Sequence, residues 1–213
     1  MKPYSAVIFD MDGVIVDSEP LHVRAFEEVF EQLGCGDRHG IHFPDYFGRS
    51  DRVVWDDFIA AHRPTQSLEA LTALKENRYL ELLEATRPIY PGAEQLIRRL
   101  APVTPLALAS GSVHAMIEAV LALRGLRPFF KTVSSVQDVK FPKPAPDVFL
   151  HAAERLGVRA AECVVIEDSA AGVAAAKAAG MRVVAITNSL PAERLGAADR
   201  VVGSYSEIEA ALI

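Results

Sequence analysis

Cysteine is scarce in this chain: two occur in 213 residues, Cys35 and Cys163. So few thiols build no disulfide framework, and the count suits a reducing cytoplasm. Long apolar runs are missing, so no segment is expected to span a bilayer. Lys2 and the apolar residues after it imitate the start of a secretory signal. Asp10 and Asp12 interrupt that run and no small-residue cleavage site follows, so no signal is expected. Excess positive charge is also lacking. A formal net charge of −6 disfavours nucleic acid or an anionic membrane surface as a partner. No internal repeat or low-complexity stretch is present. What the chain does have is apolar mass: 50% of its residues are hydrophobic, enough to bury a substantial core.

The stretch from Ala6 to Pro20, AVIFDMDGVIVDSEP, organises the rest. Ala6, Val7, Ile8 and Phe9 form an apolar run without polar alternation, which suits a strand buried on both faces of a parallel sheet. It ends in two carboxylates, Asp10 and Asp12, and Gly13 lets the backbone turn away. Two acids at one strand end repel each other and are costly to bury unpaired. A divalent cation, or a proton shared between them, would relieve that cost. The D-x-D-G pattern also occurs in calcium loops, but Val14, Ile15 and Val16 stand where further oxygen ligands would be needed.

From Pro20 the period becomes helical, with Leu21, Ala25, Val29 and Leu33 on one face and Gly34 as a stop. Two further helices are expected near 52–62 and 67–86, so residues 18–87 read as an all-helical insertion. Within it Cys35, His39 and His42 lie close in sequence. Three loosely spaced ligands without a fourth describe a polar loop better than a zinc site. After Pro88, Pro91 and Gly92 the chain alternates: helix 93–100, strand 105–109, helix 114–124, a weak strand at 131–135, helix 146–156, strand 163–166, helix 170–179 and strand 182–186. That alternation implies an α/β fold, a Rossmann-like parallel sheet wrapped by helices. The core domain is then residues 1–17 and 88–213, with residues 18–87 a helical cap domain inserted after the first strand.

If the strands are parallel, their carboxyl ends share one edge, where open α/β sheets bind ligands. Asp10 and Asp12, Ser110 with Gly111, and Glu167 with Asp168 converge there. Lys143 joins them from K-F-P-K-P-A-P-D, where Pro142 and Pro144 keep the backbone extended. The set offers carboxylates for a hard cation such as Mg²⁺, a hydroxyl and amides for phosphate oxygens, and an ammonium to neutralise phosphate charge. Singly, each has a plain structural explanation, such as a helix cap for Ser110 or Asp168. Falling at successive strand ends, they are better explained together.

Four segments, DMDGVIVDSEP, LALASGS, KPAPDVF and VVIEDSAAGVAAAKAAGM, resemble the motifs of the haloacid dehalogenase-like superfamily over essentially the whole chain. The helical insertion is similar to the cap of the branch containing beta-phosphoglucomutase and small sugar-phosphate phosphatases. The resemblance implies that Asp10 is the nucleophile and Asp12 the general acid and base. It implies that Ser110 and Lys143 bind the transferring phosphoryl group. Mg²⁺ would be held by Asp10, the Asp12 main-chain oxygen, Glu167 and Asp168. His22, Arg49 and Lys75 match polar cap positions that face the substrate. The founding dehalogenases lack an aspartate at the Asp12 position, so dehalogenation is disfavoured. The expected activity is Mg²⁺-dependent hydrolysis of a small phosphorylated metabolite by a cytoplasmic monomer, with a phosphosugar mutase as the alternative. A signalling receiver domain shares the Asp, Lys and hydroxyl but has no helical insertion after its first strand.

Overall fold

The computed structural model describes residues 4–46 and 51–212. The chain forms two compact units, Met1–Asp17 with Ile89–Ile213, and Ser18–Pro88. Along the chain, β1 (Ala6–Phe9) opens the α/β unit, and α1 (Glu19–Gln32), α2 (Asp51–His62) and α3 (Leu68–Thr86) form the helical unit. The α/β unit then resumes with α4 (Pro91–Leu100), β2 (Leu106–Ala109), α5 (His114–Ala122), β3 (Thr132–Ser134), α6 (Asp147–Leu156) and β4 (Cys163–Glu167). It closes with α7 (Ala170–Ala178), β5 (Arg182–Ile186), β6 (Arg200–Val202) and α8 (Tyr205–Leu212).

The strands make one parallel sheet in the order β3-β2-β1-β4-β5-β6, the doubly wound arrangement expected of alternating strands and helices. The strands AVIF, LALA and CVVIE, apolar up to the final Glu167, are buried along their whole length, as a sheet covered on both faces demands. On one face Ile8, Val165 and Val183 pack with Phe149 and Ala152 of α6 and with Val173 and Ala176 of α7. Each large apolar side chain buried there contributes about 1.5–3 kcal/mol. Phe9 lies in register with Leu108 on one side and Ile166 on the other, so β1, β2 and β4 end together at Asp10, Ser110 and Glu167.

The sheet runs one strand and one helix beyond the alternation visible in the sequence. Strand β6 is three residues long and its first residue, Arg200, is exposed, so it carries no period to read.

The helical unit is held by an aromatic core. Phe26 and Phe30 of α1 meet Trp55 and Phe58 of α2, with Phe30 and Phe58 stacked at 4.4 Å. The α1 helix starts with Pro20 in its first turn, where a missing N–H costs nothing. Ser67 caps α3 by accepting from the Ala70 N–H.

Candidate active site

Beyond Phe9 the chain leaves the sheet through a tight turn. The Met11 carbonyl accepts from the N–H groups of Val14, Ile15 and Val16, and the Gly13 N–H donates to the Val16 carbonyl at 2.8 Å. Gly13 has φ +73°, a conformation that favours glycine. Val14, Ile15 and Val16 are fully buried, which explains the apolar residues that a calcium loop could not accept.

Asp10 is 5% exposed at the end of β1. Lys143 Nζ donates to Asp10 Oδ1 at 2.5 Å and to Glu167 Oε1 at 2.7 Å, and lies 4.7 Å from the centre of the Phe149 ring. The other Glu167 oxygen, Oε2, accepts from the Asp168 N–H, the Ser169 N–H and the Ser169 hydroxyl. Asp168 Oδ2 accepts from the Ser189 hydroxyl. Asp12 Oδ2 accepts from Ser112 Oγ at 3.0 Å and from Ser110 Oγ at 3.4 Å. These contacts join the expected core residues into two groups, Asp10 with Lys143, Glu167 and Asp168, and Asp12 with Ser110, and the second starts two residues after Asp10 at the same strand end. Gly111 lies between the two serines and is exposed, with open space around its α-carbon.

Burial pushes Asp10 well above the usual carboxylate range; Lys143 opposes the shift, and Glu167, Asp168 and Asp12 add to it. Burial, reinforced by Glu167, pushes Asp168 up to about 7. For Lys143 burial favours the neutral amine, but Asp10 and Glu167 outweigh it and hold the ammonium above the ordinary lysine range. Acid thus exceeds base at this site, which calls for a further positive charge.

The residues present fit a small divalent cation. One oxygen each from Asp10, Glu167 and Asp168 lies within 4.8 Å of the others, all three side chains are buried, and carboxylate oxygens are the hard donors Mg²⁺ takes. The backbone closes around them. A Cβ on Gly13 would sit 1.7 Å from Asp168 Oδ2, and one on Gly172 would sit 1.5 Å from Glu167 Oε1.

Residues of the helical unit meet one another within it. Lys75 is fully buried, and its Nζ donates to Asp51 Oδ2 at 2.6 Å and to His22 Nδ1. The His22 ring stacks on Tyr79 at 4.3 Å. Arg49 lies outside the described residues. His39 spends its Nδ1 on the Ile41 N–H, and His42 pairs with Asp45. Among the described residues the grouping suited to a metal is Asp10, Glu167 and Asp168, with no Cys35 or histidine in it.

Three contributors escape motif reading: Ser112, Asn188 and Ser189. Ser112 was available in the LALASGS segment, two positions after Ser110. Asn188 and Ser189 were signalled by polarity straight after the apolar strand β5.

Comparison with known proteins gives the same direction. A family model described as haloacid dehalogenase-like hydrolase matches residues 4–180. Hexitol phosphatase B of Escherichia coli is 38% identical over 185 residues, covering 85% of this chain and 82% of its own. Fructose-1-phosphate phosphatase of the same organism is 33% identical over 193 residues, covering 85% and 95%. The crystal structure of beta-phosphoglucomutase from Clostridium difficile superposes with a TM-score of 0.78 at 28% identity, covering 96% of this chain and 93% of that one. The match runs through the strand ends that carry Asp10, Ser110 and Glu167, and on that basis the chain is an enzyme of the haloacid dehalogenase-like hydrolase family.

Proposed function

We infer that the protein is a Mg²⁺-dependent phosphatase acting on a small phosphorylated sugar or sugar alcohol through an aspartyl-phosphate at Asp10. The observation that carries this reading is the set of contacts joining Asp10, Lys143, Glu167 and Asp168 beside the Asp12–Ser110–Ser112 hydroxyl cluster. The names of the hexitol and fructose-1-phosphate phosphatases supply the substrate class.

An Asp10 carboxylate oxygen attacks phosphorus, and the bond from phosphorus to the ester oxygen breaks on the opposite side. Asp12 gives its proton to the departing alkoxide, then takes one from the water that cleaves the aspartyl-phosphate and frees inorganic phosphate. Lys143 balances charge on the phosphoryl oxygens, and the Ser110 hydroxyl with the neighbouring amides orients them. Asp10, Glu167, Asp168 and the Asp12 carbonyl would hold Mg²⁺, which would supply the positive charge that lets one anion approach another. The helical insertion is assigned selection among substrates, through His22 and Arg49; Lys75, fully buried on Asp51 and His22, holds His22 in place. These roles suit a monomer in the cytoplasm whose partner is the small phosphorylated metabolite.

The test is phosphate release from a panel of hexitol phosphates, ketose 1-phosphates and aldose phosphates at saturating Mg²⁺. Release from at least one, abolished by EDTA and restored by Mg²⁺, is the expected result. Turnover undiminished in metal-free buffer would overturn it. The fold match to beta-phosphoglucomutase favours a second reading, transfer of the phosphoryl group to a sugar instead of water. Isomerisation of beta-glucose 1-phosphate without phosphate release would establish that alternative.

A further inference from the structure

The strand β5 brings no carboxylate to the site, yet the residues after it touch the site twice. Ser189 Oγ donates to Asp168 Oδ2. Asn188 Nδ2 donates one hydrogen to the Gly13 carbonyl at 2.7 Å and the other to the Tyr205 hydroxyl at 2.9 Å. The Tyr205 hydroxyl in turn donates to the Val14 carbonyl at 2.7 Å. The donor count closes: two amide hydrogens and one phenolic hydrogen each find a single acceptor. The two carbonyls held belong to the first two residues after Asp12.

These contacts converge. A Cβ on Gly13 would lie 1.7 Å from Asp168 Oδ2 and 2.6 Å from Ser189 Oγ, so the turn, the carboxylate and the serine occupy one shell of contact. Tyr205 opens α8 and its ring packs on Tyr90 at 6.0 Å, anchoring the arrangement to two helix starts. Asn188 and Ser189 lie on the protein surface, where hydrogen bonds of this kind add little to folding stability by themselves. Their geometry is directed at the site.

We propose that Asn188, Ser189 and Tyr205 are positioning residues that set the Asp12–Gly13 turn and the Asp168 carboxylate relative to each other. The proposal rests on the functional reading above and assigns two separable effects. Ser189 orients an oxygen donor of the cation site, as partners of metal ligands generally do. Asn188 and Tyr205 hold the peptides after Asp12, limiting how far its carbonyl and its carboxylate can turn during proton transfer.

The test uses the full chain with Ser189→Ala, Ser189→Thr and Tyr205→Phe. Mg²⁺ affinity is measured by calorimetric titration without substrate, and turnover is measured on an alkyl phosphate and an aryl phosphate at saturating Mg²⁺. Ser189→Ala should weaken Mg²⁺ binding about 10- to 100-fold, and Ser189→Thr, which keeps a hydroxyl, should restore it. Tyr205→Phe should lower kcat for the alkyl phosphate more than for the aryl phosphate, with KM little changed. A folding defect would depress both substrates alike. Should Tyr205→Phe fail to fold, Asn188→Ala takes its place in the same comparison. Wild-type Mg²⁺ affinity in Ser189→Ala, or equal losses on the two substrates in Tyr205→Phe, would overturn the proposal. If the wild type binds Mg²⁺ but releases phosphate from nothing, the functional reading fails while the calorimetry still decides the role of Ser189.

Discussion

At the scale of single residues, Asp10 and Asp12 are alike chemically and differ in surroundings. Asp10 is buried against Lys143, while Asp12 accepts from the hydroxyls of Ser110 and Ser112. The first arrangement fixes one carboxylate oxygen on a cation, which suits the nucleophile proposed for Asp10. The second aims a carboxyl group through two hydroxyl donors, which suits the proton transfer proposed for Asp12. Asp10→Asn should leave essentially no turnover. Asp12→Asn should retain attack and lose proton transfer, lowering kcat by roughly 10²–10⁴-fold on an alkyl phosphate. An aryl phosphate leaves without much protonation, so its loss should be smaller. Steady-state rates on both substrates for the one variant check the assignment, and equal losses would refute it.

At the scale of elements, helix α7 shows packing overruling propensity. Alanine is favoured over glycine in a helix by about 0.8–1 kcal/mol, so Gly172→Ala should stabilise α7 on propensity alone. Its Cβ would fall 1.5 Å from Glu167 Oε1. A glutamate tip normally swings aside cheaply, but here Lys143, two backbone N–H groups and the Ser169 hydroxyl all hold it. Hydrogen bonds to a charged group are worth about 1.5–3 kcal/mol each, so losing even one exceeds the gain. Gly172→Ala should therefore lower both Tm and turnover, as a thermal melt and a phosphate-release assay would show. The same logic separates what was legible in the sequence from what was not. Strand ends at Asp10, Ser110 and Glu167 could be read because short unbroken apolar runs stop there at polar residues. Lys75 looked like an ordinary exposed helix lysine, yet it falls between Leu71 and Tyr79 on the buried stripe of α3, a four-residue spacing that was available to be read. Strand β6 is too short to carry a period, while α8 shows one helical step, from Ile208 to Leu212, that was available to be read, and Tyr205 was missed with it. Its bonds to Val14 and Asn188 join positions far apart in the chain, and no local pattern encodes such a contact.

At the scale of the whole molecule, the acid-rich site couples folding to pH in an unusual direction. Carboxylates paired with cations or hydrogen-bond donors usually have lowered pKa values and stabilise a protein as pH rises. Glu28, Asp138 and Asp199 belong to that kind, so their contribution is present above the unfolded carboxylate range and lost on acidification. Asp10 and Asp168 are shifted the other way, chiefly by burial, with Asp168 pushed up to about 7. A group that holds its proton more tightly when folded contributes fully below its unfolded pKa, near 4 for an aspartate, and loses that contribution as pH rises through the folded value. The metal-free protein should therefore become less stable between about pH 4 and about pH 7, a window separate from the acid loss caused by the lowered carboxylates. Bound at the proposed site, Mg²⁺ would compete with those same protons for carboxylate oxygen, so its binding should release protons and its stabilising effect should grow across that window. Thermal melts in EDTA and in excess Mg²⁺, taken at half-unit steps of pH, measure both curves. They should lie close together near pH 4.5 and separate steadily toward pH 7.5. Curves that stay parallel over the whole range would mean that Asp10 and Asp168 are not the groups that bind the cation.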